Sequence, residues 1–147
     1  MAKIEDKFAG LYPVFIDKVK ALLAQAEANG LKVGLYSGYR SIAQQNEILA
    51  RKTGSTKARG GLSWHNYGLA VDIIFQDKTG AWTWDAKCQW QDLGKIGKSI
   101  GLDWGGDWKS LKDMGHFDWH PGLTIRAAEA LWKVGFMKAV WDKLPAK

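Results

Sequence analysis

Apolar residues Leu11, Val14, Phe15, Val19, Leu22, Leu23 and Ala26 recur at three- and four-residue spacing, with Pro13 near the start and Gly30 just past the end. That spacing predicts an amphipathic helix. Leu31 to Ser37 then alternates, with Val33 and Leu35 on one face, and predicts a strand. Ser41 followed by Gln44 forms a capping-box pattern that opens a second helix through Ile42, Ile48 and Leu49 and stops near Gly54. Leu69 to Phe75 predicts a buried strand, followed by a hairpin turn over Gln76–Gly80 into Ala81–Trp84. Asp85 is expected to cap a helix carrying Trp90, Leu93, Ile96 and Ile100 that ends at Gly101. Leu102–Trp104 and His116–Trp119 are short strand candidates around a loop holding Gly105 and Gly106, and Thr124 caps a last helix toward Leu144. In that helix Arg126, Glu129 and Lys133 share one face while Lys138, Asp142 and Lys143 lie on another, which calls for a bend near Gly135. The fold class expected is α+β, a small, mostly antiparallel sheet flanked by helices.

Composition narrows the class without naming a function. At 147 residues, 46% hydrophobic and 24% charged, the chain suits one globular domain over 1–147 and excludes disorder and collagen-like repeats. No apolar run approaches the roughly 18–20 residues of a membrane-spanning helix. The N-terminus, Met1 to Lys7, carries acids and has no apolar signal core, so synthesis and first retention in a cytoplasm are expected. Cys88 is the only cysteine, which excludes an internal disulfide and a thiolate zinc site.

The net charge of +6 is unevenly spread. Residues 31–60 hold six basic groups and one acid, and 121–147 hold five and two, whereas 61–120 hold six and eight together with all three histidines. An anionic partner fits the basic stretches, including the glycine-rich loop with Lys57 and Arg59; a merely solvated basic surface fits equally well.

The densest chemical signal is Ser63 to Asp72. On the predicted strand Ala70, Asp72 and Ile74 face one side, which puts a carboxylate inside an otherwise apolar element, costly without a partner or cation. His65, just before the turn at Gly68, can fold back beside it. On spacing alone, a structural His with a hydrogen-bonded Asp is the more frequent outcome than a metal pair. A second cluster, Asp113 to His120, shifts that balance. On a strand, His116, Asp118 and His120 share a face, and a third ligand from it completes a site with an open position for water. Asp113 sits three residues earlier, on a loop able to bring a carboxylate near that water. His120, before Pro121, is expected to be solvated. Arg40, in Ser37-Gly38-Tyr39-Arg40-Ser41, stands at a strand-to-helix corner from which a guanidinium reaches into a cleft.

Together these segments resemble the zinc-dependent peptidoglycan peptidases of the VanY-like D-alanyl-D-alanine carboxypeptidase superfamily. Within it they are most similar to the phage-endolysin L-alanyl-D-glutamate endopeptidases. The resemblance spans about residues 31–119. It rests on the complete Ser-x-His-x-x-Gly-x-Ala-x-Asp motif at 63–72, Ser-Gly-Tyr-Arg-Ser at 37–41, Trp-Gly-Gly-Asp-Trp at 104–108 and Asp-x-Gly-His-Phe at 113–117. It implies one Zn2+ per chain held by His65, Asp72 and His116, Asp113 as catalytic acid/base, and Arg40 holding substrate or the polarised carbonyl oxygen. It also implies Ser63 and Gln44 as supporting or substrate contacts. Asp118 stands where related sequences often carry Glu, which leaves its role open.

The substrate so implied is the peptidoglycan stem peptide, cut between L-Ala and D-Glu in phage or prophage lysis after release of the enzyme from the host cytoplasm to the wall. Trp82, Trp84, Trp104 and Trp108 are candidates to line a groove for it, with burial in the core as each one's competing fate. The basic last helix is a candidate for contact with anionic envelope lipids, against packing on the core. A monomer without nucleic-acid partners is expected. Two alternatives stay open: a D-alanyl-D-alanine carboxypeptidase of the same fold in wall remodelling, and a non-enzymatic wall-binding module.

Overall fold

The computed structural model describes residues 7–51 and 58–146. Helix α1, Pro13–Ala28, starts on Pro13 and buries Phe15, Val19, Leu22 and Ala26, the stripe predicted from spacing. Strand β1 (Val33–Ser37) follows, then α2 (Ile42–Ala50), whose capping box is complete: Ser41 Oγ accepts from Gln44 N–H, and Gln44 Oε1 accepts from Ser41 N–H at 2.8 Å. Gly54 and Lys57, named in the sequence reading, lie outside the described residues.

A 3-10 turn over Trp64–Tyr67 leads into strand β2, Ala70–Gln76. Between them Gly68 has φ of 70°, and a Cβ there would sit 2.3 Å from the carbonyl oxygen of Gly10, so only glycine makes this corner. The hairpin expected at Gln76–Gly80 is present. Asp77 Oδ1 accepts from the N–H groups of Thr79 and Ala81 and turns the chain into β3 (Trp82–Thr83). Helix α3 is Trp90–Ser99. Here the expectation at Asp85 is corrected: its carboxylate accepts from Lys87 N–H in a local turn, and the helix begins five residues later without a side-chain cap. Local side-chain capping of a turn competes with helix initiation, and the turn holds Asp85.

Strands β4 (Asp103–Trp104) and β5 (His116–Asp118) complete an antiparallel sheet in the order β1-β2-β5-β4, with β3 also paired to β2. Leu69, Val71, Ile73 and Phe75 join α1 in the main core, so Asp72 points from the opposite face, as the alternation predicted. Helix α4, Ile125–Trp141, is capped by Thr124 Oγ1, which accepts from Ala127 N–H at 3.1 Å. It breaks where expected, at Gly135 and Phe136, the latter with φ of 58°. Each half then buries its own residue, Ala128 before the break and Val140 after it. Trp141 Nε1–H donates to the carbonyl oxygen of Tyr67 at 2.7 Å and docks the helix on the 3-10 turn. Among the described residues no helix is long and apolar enough to cross a membrane.

Candidate metal centre

Strand register brings the first groups together. Asp72 in central β2 lies opposite His116 of β5 on one side and Ser37 of β1 on the other. A register shift between Leu35 and Ser37 sets that second pairing, and Ser37 Oγ donates to Asp72 Oδ2 at 2.6 Å. From the 3-10 turn, His65 Nε2 reaches within 3.4 Å of the same oxygen. Its Nδ1 is 2.8 Å from the carbonyl oxygen of Gly38, which can only accept. Nδ1 therefore carries the proton and Nε2 presents its lone pair toward Asp72. At His116 the order is reversed: Nε2–H donates to Asp118 Oδ2 at 2.6 Å, which leaves Nδ1 facing Asp72 Oδ1 at 3.6 Å.

The ligand atoms of His65, Asp72 and His116 all lie within 4.8 Å of one another. Asp72 Oδ1 is buried and has no hydrogen-bond partner, an orphan that is costly unless a cation meets it. Two imidazole nitrogens and one carboxylate oxygen form a donor set suited to zinc, and three protein ligands leave a fourth position open. The residues fit the ion. Burial alone would raise the Asp72 carboxyl, but the two imidazoles, when protonated, hold it well below the usual range. Burial likewise works to lower His116, and the Asp118 and Asp72 carboxylates overcome it and raise the ring to about 10.

The centre floors a cleft of about 760 Å³. Asp113 and Arg40 both line it, as does Ser63, whose Oγ accepts from His65 N–H at 3.3 Å. Burial and the Asp72 charge push the Asp113 carboxyl up, partly offset by His116, the Gly115 N–H and His65. Arg40 is held by its backbone, N–H to the carbonyl oxygen of His65 at 3.0 Å, and its Nη2 stands 3.5 Å from Asp72 Oδ2. Burial pushes its guanidinium down against the raising effect of Asp72 and Asp113, and its Nε is buried without a partner. The cleft is thus a cation-binding floor flanked by a carboxylate and a guanidinium.

The tryptophans divide. Trp108 and Trp84 line the cleft and are 40% and 48% exposed; the Trp108 ring centroid lies 4.8 Å from that of His116. Trp104, expected beside them, is instead in the core, with its Nε1–H donating to the carbonyl oxygen of Met114 at 2.7 Å. The 3-10 turn Gly105–Asp107 separates the two rings and sends them in different directions. Gln44, expected as a substrate contact, is taken up by the α2 capping box and does not line the cleft. Arg59, read as part of a basic loop suited to an anionic partner, is paired with Glu129 of α4 at 2.7 Å. His120, expected to be solvated, is half-buried and lies 3.0 Å from Asp118 Oδ1. Tyr36 was not anticipated: it lines the cleft and packs edge-on against Trp84. Its alternation with Val33 and Leu35 on β1 was the available signal.

Comparison with known proteins agrees with this architecture. Residues 56–119 match a peptidase M15 family described as D-alanyl-D-alanine carboxypeptidase. The peptidoglycan L-alanyl-D-glutamate endopeptidase CwlK of Bacillus subtilis (strain 168) is 39% identical over 126 residues, covering 76% of this chain and 74% of the relative. An L-alanyl-D-glutamate peptidase of Listeria phage A118 is 29% identical over 102 residues, 69% of this chain and 35% of that protein's length. In structure, the Serratia marcescens L-Ala D-Glu endopeptidase ChiX superposes with a TM-score of 0.63 at 26% identity, covering 85% of this chain and 89% of that one. The fold is also that of the D,D-pentapeptidase VanY in complex with Zn(II), at a TM-score of 0.57, 21% identity and coverage of 79% and 82%. The fold is the one these peptidoglycan peptidases share. The chain belongs to the peptidase M15 family, among the peptidoglycan L-alanyl-D-glutamate endopeptidases.

Proposed function

We propose that this chain hydrolyses the bond between L-alanine and D-glutamate in the stem peptides of bacterial peptidoglycan. It does so with one zinc ion held by His65, Asp72 and His116, as the lysis enzyme of a phage or prophage. It is made in the host cytoplasm and acts on the wall after release. The observation that carries the reading is the orphaned Asp72 Oδ1 between two oriented imidazoles, on the floor of a cleft that also holds Asp113.

When bound, zinc supplies Lewis acidity, which acidifies a water and polarises the scissile carbonyl. The chain's own groups do the rest. The raised Asp113 carboxylate takes a proton from the attacking water and returns it to the departing D-Glu nitrogen. Arg40, held by the His65 carbonyl, offers its guanidinium to the oxygen on which charge develops. Tyr36, Trp84 and Trp108 supply flat apolar walls for the peptide. Ser63 caps the turn that carries His65 and is not a nucleophile, since its Oγ accepts from the His65 backbone and no base addresses it.

The deciding experiment is mass spectrometry of digested peptidoglycan. Fragments with new N-terminal D-Glu are expected, with activity lost in chelator and restored by zinc. Released D-Ala without such fragments would assign the carboxypeptidase reaction instead, and wall binding without fragments would make the chain a binder.

A further inference from the structure

The face of β5 that carries His116 continues beyond the centre. Asp118, bonded through Oδ2 to His116, presents Oδ1 3.0 Å from His120 Nε2. Oδ1 has no aligned hydrogen bond, so this contact is an ion pair. Asp103 Oδ2 approaches the same nitrogen at 3.5 Å, and His120 Nδ1 lies 3.1 Å from the carbonyl oxygen of Leu123. Every group facing the ring nitrogens of His120 is therefore an acceptor, which suits an imidazolium. The face of the same ring stacks on Trp64, with centroids 3.9 Å apart and planes inclined by 7°. Trp64 immediately precedes His65 in the 3-10 turn. One side chain thus touches both the carboxylate that orients His116 and the residue next to His65, two ligands about fifty positions apart in the chain.

We propose that Asp118 and His120 are positioning residues for the two histidine ligands. Asp118 fixes the His116 ring, and His120 ties Asp118 to Trp64 and so to the turn that carries His65. The proposal rests on the reading of His65, Asp72 and His116 as the zinc ligands. The Asp118 carboxylate thus spans from the His116 ring to the His120 ring, one oxygen to each. A shift of either anchor moves one imidazole relative to the other, and a metal site held by three side chains registers that as lost affinity.

The test is zinc affinity of the full chain, read by competition with a chromophoric chelator near neutral pH, beside the melting temperature of the zinc-free protein. Asp118→Asn is expected to weaken zinc binding by about 10–100-fold. His120→Ala is expected to weaken it about tenfold with the zinc-free fold intact, although His120 touches no ligand side chain. His120→Gln, which keeps a planar group on Trp64 and an N–H toward Asp118, should recover most of that loss. A purely structural role would lower the melting temperature of His120→Ala and leave its zinc affinity unchanged. Affinity within about twofold of the parent in both His120→Ala and Asp118→Asn would overturn the proposal, and should Asp118→Asn fail to fold, the two His120 variants decide it. Two zinc ions per chain, one lost in Asp103→Asn, would also overturn it, by making Asp118 and His120 ligands of a second ion. The expected affinity pattern in a protein that releases no stem-peptide fragment would support the positioning and refute only the peptidase reading.

Discussion

Asp113→Asn separates the acid/base role from metal binding. Asp113 lines the cleft but supplies none of the three ligand atoms, so the zinc content of the variant should stay near one per chain. General acid–base catalysis contributes about 10²–10⁴ in rate, or about 3–5 kcal/mol of transition-state stabilisation at 1.36 kcal/mol per decade. A fall of that size in kcat is expected, with KM changed by no more than a few-fold, because the apolar walls and Arg40 are untouched. The raised carboxyl of Asp113 adds a second readout. A carboxylate whose folded pKa lies above its unfolded value makes the ionised form costly in the native state, so this cost is present above the folded pKa and vanishes below the unfolded one. The neutral Asn removes it. Zinc-free Asp113→Asn should therefore melt higher than the parent at neutral pH, the gap closing as the pH falls toward about 4. Steady-state kinetics, metal analysis and thermal melts check the three outcomes. A kcat within tenfold of the parent, or loss of zinc on substitution, would refute the assignment.

The tryptophans give a contrasting pair. Trp104→Phe strands the Met114 carbonyl at a cost of about 1–3 kcal/mol, which at 2–4 °C per kcal/mol lowers Tm by about 2–12 °C, with KM unchanged. Trp108→Ala should do the reverse, raising KM with Tm nearly constant, and matched kinetics and melts decide whether the two rings have been assigned the right way round. Chain stability should also follow pH in a metal-dependent way. In the zinc-free protein His116 is raised to about 10, and His120 is raised as well. Stability from both is complete below the unfolded value near 6.5; that from His116 is lost as the pH climbs toward 10, and that from His120 as the pH rises through its own raised pKa. Melting in chelator should therefore fall across that window, and a flat or rising profile would show that these carboxylate contacts do not hold the rings protonated.

Much of this site could be read from local chemistry. A carboxylate at position 72 of an apolar strand and a histidine five residues before its start already pose the question that the structure answers with an orphaned oxygen. The helix α1 stripe and the break at Gly135 follow from side-chain periodicity and the shift of charge from one face to another. What periodicity does not carry is direction in space. Trp104 and Trp108 share one short motif, yet a single 3-10 turn sends one into the core and the other into the cleft. His120 before Pro121 has the local features of a surface residue, and only the approach of the 3-10 turn to the end of β5 brings Trp64 against its ring. Asp85 failed as a helix cap for a related reason: a turn and a helix start draw on the same side-chain preference, and tertiary packing of Trp90 settles which forms.

The central claim is that His65 Nε2, Asp72 Oδ1 and His116 Nδ1 hold one divalent ion with a corner left open. Anomalous scattering at the zinc edge from crystals grown with zinc tests it most directly. One peak about 2.0–2.2 Å from those three atoms, with solvent in the remaining position, is the predicted result. A peak beside Asp103 and His120 instead, or an ion closed off by a fourth protein ligand, would contradict it.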